Sequence, residues 1–112
     1  MATNSRWLTI NPLSISGPQN PLPKNPNKLL PKFDLEDDIL PKTHIDKFML
    51  AMNIINVQHE DVACRLFCLT LQGKASSWFF NLPFGSITYW QQFENAFTIQ
   101  FGYDKTSRAL LL

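Results

Sequence analysis

The sequence predicts an all-α protein, in which a small bundle of four to five helices follows a disordered, proline-rich N-terminal arm. Three observations support this fold class. Apolar residues recur every three or four positions in four separate stretches, which is the spacing of one face of a helix. Residues that break helices interrupt the pattern between these stretches. Six of the eight prolines lie within the first 31 residues.

Length and composition limit the chain to one domain with a modest core. It has 112 residues, of which 45% are hydrophobic and 12% aromatic, so large side chains must supply much of the buried area. The formal net charge of +1 argues against a general attraction to nucleic acid or to an anionic membrane. We find no secretory signal and no run of about 20 apolar residues. We therefore expect an intracellular, cytoplasmic protein with reduced cysteines and no membrane association.

Residues 1–30 are predicted to form the disordered arm. Their prolines are too closely spaced for a regular helix or a central strand. A ligand for a proline-recognition domain is an alternative, but Pro23-x-x-Pro26 lacks a convincing basic anchor, and a spacer is the better interpretation. Directly after the arm, Phe33 is expected to enter the core from an extended segment.

The first two helices are predicted over residues 43–55 and 59–72. Thr43 and Asp46 fit a capping box at the start of the first helix. The second helix is apolar over most of its circumference, so we expect it at the centre of the bundle, and Gly73 is predicted to be its C-cap. The buried faces are predicted to consist of Ile45, Phe48, Met49, Met52 and Ile55 in the first helix and of Val62, Ala63, Leu66, Phe67 and Leu71 in the second.

The third and fourth helices are predicted over residues 74–82 and 88–101. Pro83 separates them, because a proline disfavours helical geometry in the preceding residue and has no N–H to donate. Thr88 and Gln91 fit a second capping box. The two helices are predicted to share an aromatic core, with Trp78 and Phe97 buried. The apolar faces consist of Ala75, Trp78, Phe79 and Leu82 in the third helix and of Trp90, Phe93, Phe97 and Phe101 in the fourth.

Residues that could carry chemistry do not form a recognisable site. Cys64 and Cys68 lie one helical turn apart, and together with His44 or His59 they could be imagined as zinc ligands. Their spacing, however, matches no zinc motif. Burial among Leu and Phe would raise the pKa of both thiols and disfavour a nucleophilic cysteine. The acidic run at 36–38 is interpreted as a solvated turn, and the basic residues are scattered. We therefore predict no enzyme activity, no cofactor, no metal, no small-molecule substrate and no direct nucleic-acid site.

Two ordered motifs resemble the gag proteins of gypsy-type LTR retrotransposons. The first reads Leu71-x-Gly73-x-Ala75-x-x-Trp78-Phe79-x-x-Leu82, and the second reads Ser86-Ile87-x-x-Trp90-x-x-Phe93-x-x-x-Phe97-x-x-x-Phe101. The stretch from His59 through Arg65-Leu66-Phe67 also resembles the gag sequences of plant elements. The family-motif core comprises Phe48, Leu66, Phe67, Leu71, Gly73, Ala75, Trp78, Phe79, Leu82, Trp90, Phe93, Phe97 and Phe101.

The resemblance implies that residues 31–104 form the N-terminal half of a capsid-like domain, with 105–112 as the truncated start of a following segment. It implies a structural protein whose family counterparts assemble with themselves or other gag chains around element RNA. The family's second capsid domain and its RNA-binding knuckle are not found in these 112 residues. We therefore expect a monomer or a weak dimer at micromolar concentration. The alternative interpretation is a degenerate or host-adapted gag fragment that acts as a helical protein-interaction module.

Overall fold

The computed structural model describes residues 9–102, except for the side chain of Asn27. Its helices are α1 (Pro41–Ile54), α2 (Glu60–Thr70), α3 (Lys74–Phe80) and α4 (Trp90–Phe101), and a short 3-10 turn covers Pro26–Lys28. The all-α fold class and the order of the four helices are confirmed, with every helix end within two residues of its predicted position.

Pairing of extended segments within residues 9–102 is limited to two isolated parallel bridges, one between Leu13 and Ile87 and one between Phe33 and Leu71. None of the helices in this part of the chain has the length and apolar character needed to cross a bilayer. The predictions for residues 1–8 and 103–112 lie outside the described residues.

Phe67 of α2 lies at the centre of the aromatic core. Its ring centroid is 4.9 Å from that of Phe48 in α1 and 5.1 Å from those of Phe93 and Phe97 in α4, each in an edge-on arrangement. Edge-on aromatic pairs contribute about 0.5–1.5 kcal/mol beyond the area that they bury. Phe67 of α2 is therefore central to the aromatic core, but α4, and not the predicted α2, is the helix that packs closely against both of the other long helices.

Phe33 enters this core from the extended segment before α1, as predicted. Its side chain is 1% exposed, and its ring centroid lies 4.9 Å from that of Phe97. Its backbone N–H donates to the carbonyl of Thr70, and its carbonyl accepts from the N–H of Gln72, both at 2.9 Å. This bridge fixes the chain just beyond the end of α2.

The same bridge explains why the prediction for Gly73 is wrong. Leu71 already has an extended backbone and pairs with Phe33, so α2 ends at Thr70. Gly73 instead precedes α3, with φ of 57° and ψ of −128°. An added Cβ there would lie 3.3 Å from Oδ1 of Asp34, so glycine suits both the backbone angle and the close approach.

The capping box predicted for α1 is also wrong. The helix begins two residues earlier than predicted, at Pro41, whose missing N–H and fixed φ suit the first helical position. No side chain caps this end. Asp46 instead pairs with Lys42, at 2.9 Å and in solvent.

The capping box predicted for α4 is wrong for a different reason. Oε1 of Gln92, rather than the Gln91 side chain, accepts from the Thr88 N–H at 2.6 Å. The first amide of the helix, that of Trp90, donates to Oε2 of Glu60 at 2.6 Å. A carboxylate on α2 therefore caps α4, which ties the two helices together.

The described part of the N-terminal arm, residues 9–30, is extended and packs on the helices. The carbonyls of Asn11 and Pro12 accept from the N–H groups of Gly85 and Ile87, at 3.1 and 2.9 Å. The Ser14 N–H donates to the Ile87 carbonyl at 2.7 Å. Disorder is not confirmed for these residues, because hydrogen bonds to distant parts of the chain satisfy backbone groups that local sequence leaves unpaired.

Candidate functional site

The family-motif residues form most of the interior of the protein, with the exception of the exposed Gly73. Phe97 is 0% exposed, as predicted, whereas Trp78 is only half-buried, with its ring centroid 6.3 Å from that of Phe97. The fully buried members are Phe48, Leu66, Phe67, Leu71, Ala75, Phe79, Phe93 and Phe97, and the half-buried ones are Trp78, Leu82, Trp90 and Phe101. A functional site must therefore be sought among other residues.

One polar pair is enclosed within this aromatic core. His44 is 1% exposed, and its Nε2 lies 2.9 Å from Oγ1 of Thr70. The Thr70 hydroxyl donates to the Phe67 carbonyl at 2.6 Å, so its oxygen accepts the proton of Nε2, and Nδ1 carries the lone pair. Burial, with a smaller effect from Lys47, lowers the pKa of His44 to about 4. The ring is therefore neutral at neutral pH and too deeply buried to meet a substrate.

The two cysteines have the properties of structural thiols. Burial raises the pKa of Cys64 to about 12 and that of Cys68 to about 11, so the reactive thiolate is scarce at neutral pH. Both are free, and Sγ of Cys68 donates to the carbonyl of Arg65 at 3.0 Å. Within residues 9–102, no three His, Cys, Asp or Glu side chains are grouped so that they could hold a metal ion.

An apolar groove of about 340 Å³ opens where α1, the start of α2 and the start of α4 meet. The volume falls at the lower end of the range for ligand pockets. Glu60, a polar group on its wall, already accepts from the N–H of Trp90. The groove therefore offers mainly apolar contact, and its lining residues are Phe48, Met49, Met52, Val57, Gln58, His59, Glu60, Ala63 and Trp90.

On the side of α1 that faces away from this groove, large apolar side chains are exposed to solvent. Leu50 and Ile54 lie four residues apart on one face and are 60% and 61% exposed. Met49, on the groove wall, is 49% exposed, so its predicted place in the core is wrong. We refer to the exposed side chains of Met49, Leu50 and Ile54 as the α1 surface. Leu50 and Ile54, which lie outside the predicted buried stripe of α1, were the available signal for it.

A second surface feature joins the arm to α2. The Asn20 N–H donates to Oδ2 of Asp61, and the Asn20 side-chain amide donates to Oδ1, both at 2.8 Å. Arg65 donates to the Asn20 carbonyl and, at 2.9 Å, to Oδ2 of Asp61. Burial raises the pKa of Asp61, but the hydrogen bonds from Asn20 and Arg65 outweigh that effect and lower the pKa.

We call Asp61, Arg65 and the backbone of Gly85 and Ile87 the arm seat. Sequence reasoning missed it, since 41 and 45 residues separate Asn20 from its two side-chain partners. No local spacing rule connects positions so far apart.

Comparison of the chain with protein-family models, with curated proteins and with solved structures finds no match.

Proposed function

We propose that this chain is a non-enzymatic structural protein of the gag capsid-like type, which associates with copies of itself through the α1 surface. The observation that carries the proposal is the set of exposed apolar side chains on α1, with Met49 at the edge of an apolar groove and Leu50 and Ile54 farther round the helix. Clustered exposed apolar residues often mark a protein–protein contact, whereas single ones are ordinary. The order of the sequence motifs supplies the gag assignment, and the all-α module is compatible with it.

The size of the surface favours weak pairing. Fully burying a Leu, Ile or Met side chain contributes about 1.5–3 kcal/mol, so side chains that are half exposed have about 1–2 kcal/mol each still to gain. Met49, Leu50 and Ile54 from two copies would therefore supply about 6–12 kcal/mol before costs. Association costs about 4–15 kcal/mol in lost motional freedom. A dimer that forms only at high micromolar concentration or above is the expected result.

The two methionines of the groove favour a second candidate, a helical protein-interaction module that binds a different protein. Met49 and Met52 are unbranched and adaptable, which suits surfaces that accept varied apolar partners. Both candidates use the α1 surface, and self-association distinguishes them.

Sedimentation velocity over a range of chain concentrations tests the proposal. The double variant Leu50→Ser and Ile54→Ser should weaken the dimer at least about tenfold, which corresponds to about 1.4 kcal/mol. Ile99→Ser is the matched control, since Ile99 is 75% exposed on α4 and lies outside the α1 surface. All three positions are exposed, so the folded state should survive each change.

Two results would contradict the proposal. One is a chain that stays monomeric up to about 1 mM, which would favour the interaction-module alternative. The other is an association that the α1 double variant leaves unchanged. Negative-stain microscopy with and without RNA adds a further check, since regular shells formed at micromolar concentration would show contacts much stronger than the ones inferred here.

A further inference from the structure

We infer that the N-terminal arm is an exchangeable element, and that residues 11–20 of one copy can occupy the arm seat of a second copy. The inference goes beyond the α1 surface, but it rests on the proposed association of the chain with itself. It is drawn from the way in which the seat holds the arm and from the character of the segment that joins the arm to the helices.

The contacts of the arm are specific, and all of them can be remade between copies. Asn20 makes two hydrogen bonds to one carboxylate, and Arg65 closes the cluster on the Asn20 carbonyl. Further along the arm, Pro12 is fully buried and Leu13 is half-buried beside the bridge to Ile87. A seat of this kind recognises a defined extended segment, and an identical segment from another copy would fit it equally well.

The connecting segment, residues 21–29, has the features of a hinge. Its described hydrogen bonds are local, from the N–H groups of Lys28 and Leu29 to the carbonyls of Asn25 and Pro26, at 3.5 and 3.4 Å. A groove of about 410 Å³ lies between this segment and Ile55, the residue that follows α1, so the segment is loosely packed against the end of that helix.

Asn25 provides a bend that can open. Its φ of 50° and ψ of 51° lie in the left-handed region, which costs an L residue about 1–2 kcal/mol and which Asn tolerates better than most. Pro21, Pro23 and Pro26 favour extended chain elsewhere in the hinge. If the bend straightens, the ten residues from Asn20 to Leu30 reach at most about 33–36 Å, which is comparable to the width of a small domain.

Concentration decides between the two arrangements. A short linker holds the arm near its own seat at an effective concentration in the millimolar range, so a dilute chain keeps its own arm. Exchange competes once copies are held together at a similar local concentration, as in an assembly. The contacts at the seat are the same in both cases, so exchange changes mainly the loop entropy and the bend at Asn25.

Engineered disulfides can detect the exchange. A Cβ added to Gly85 would lie 3.7 Å from Cβ of Ser14, which matches the Cβ separation across a disulfide. Gly85 has φ of 67°, where a cysteine is strained, but the distance allows the double variant Ser14→Cys with Gly85→Cys to form a link within one chain, which tests the geometry of the seat itself. An equimolar mixture of the two single variants at high concentration can form the same link only between copies whose arms have exchanged.

We expect the mixed link to exceed each symmetric link at least about fivefold in non-reducing mass spectrometry, because only the mixed pair meets the geometric requirement. Adding Asp61→Ala to both chains should remove the excess, since it removes the acceptor of both Asn20 hydrogen bonds. The unaltered chain is the blank for Cys64 and Cys68. Burial raises the pKa of both thiols, to about 12 and about 11, and should keep them slow to react.

Three outcomes would overturn the inference. The double variant could fold, as its tryptophan fluorescence would show, and still fail to close its internal link, which would refute the arm position. The internal link could form while the mixture shows no excess of mixed product, which would show that each copy keeps its own arm. The excess could also persist with Asp61→Ala, which would assign it to chance encounters. In each case the sedimentation result for the α1 double variant still decides the proposed self-association independently.

Discussion

Lowering the pH from about 8 to about 5 should destabilise the protein by about 2 kcal/mol through one buried side chain, that of His44. The ordinary pKa of 6.5 falls to about 4 in the folded protein, first because of burial and then because of the Lys47 ammonium on the same helix. The rings packed against it, Phe33, Phe67 and Phe97, have centroids 5.2, 5.4 and 5.9 Å away and carry no charge that could stabilise an imidazolium.

The sign follows from which state binds the proton. Between pH 6.5 and about 4 the unfolded chain is protonated at His44 and the folded chain is not, so acid favours unfolding. Above pH 6.5 His44 is neutral in both states, so the free energy of unfolding does not change through this residue. Below pH 6.5 the free energy of unfolding falls by about 1.4 kcal/mol for each pH unit. At about pH 5 the accumulated loss is about 2 kcal/mol, and below about pH 4 it levels off near 3 kcal/mol. Asp61, whose pKa is lowered from 3.8, adds its own loss only in more acid solution.

Urea unfolding followed by tryptophan fluorescence measures this effect at about pH 8 and about pH 5. His44→Gln should be less stable at pH 8 but should lose much less stability on acidification, because its amide can still donate to Thr70 but does not titrate in this range. His59→Gln is the matched control at an exposed position and should behave as the unaltered chain does. Equal stability of the unaltered chain at the two pH values would refute the reasoning, as would a His44→Gln variant that remains just as sensitive to acid.

Three further predictions concern the core, a helix end and the thiols. Phe97→Ala should lower the free energy of unfolding by about 3–5 kcal/mol, because it leaves a cavity in the core. The control Ile99→Ala, at a 75% exposed position, should change it by less than about 0.5 kcal/mol. Similar melting temperatures for the two variants would contradict the packing described. Glu60→Ala should cost about 1 kcal/mol, because the first amide of α4 loses its acceptor, and an unchanged urea midpoint would argue against that cap. At about pH 8, Cys64 and Cys68 should react with a thiol reagent far more slowly in the folded chain than in urea. The purified protein should also contain no zinc. Stoichiometric zinc that is lost with Cys68→Ser would contradict both expectations.

The sequence alone determined the helices and the interior. Apolar residues at helical spacing place Phe48, Phe67, Phe93 and Phe97 on the inner faces, and the structure buries all four. This was predictable because helical periodicity is local and burial of large aromatic side chains dominates the energy of a small core. The position of Pro83 also predicted the break between α3 and α4, because the effect of a proline on the backbone is confined to neighbouring residues.

Only the tertiary structure decided how the helix ends are capped. The acceptor for the first amide of α4 comes from Glu60, 30 residues earlier in the chain. The helix α1 begins at Pro41 rather than at the predicted Thr43, and no side chain caps that end. A capping box assumes that the partner lies within one turn, and a nearby element can supply a carboxylate instead.

Tertiary structure likewise decided where the arm packs and which apolar side chains are exposed. The arm was predicted to be extended and largely disordered, but its described residues include a 3-10 turn at Pro26–Lys28. Its place on α2 depends on Asn20 meeting Asp61 and Arg65 from more than 40 residues away. Met49 was assigned to the core on spacing alone and lies instead on a groove that exists only because three helices converge there. Periodicity fixes which face of a helix is apolar, but the shape of the neighbouring helices determines how much of that face is covered.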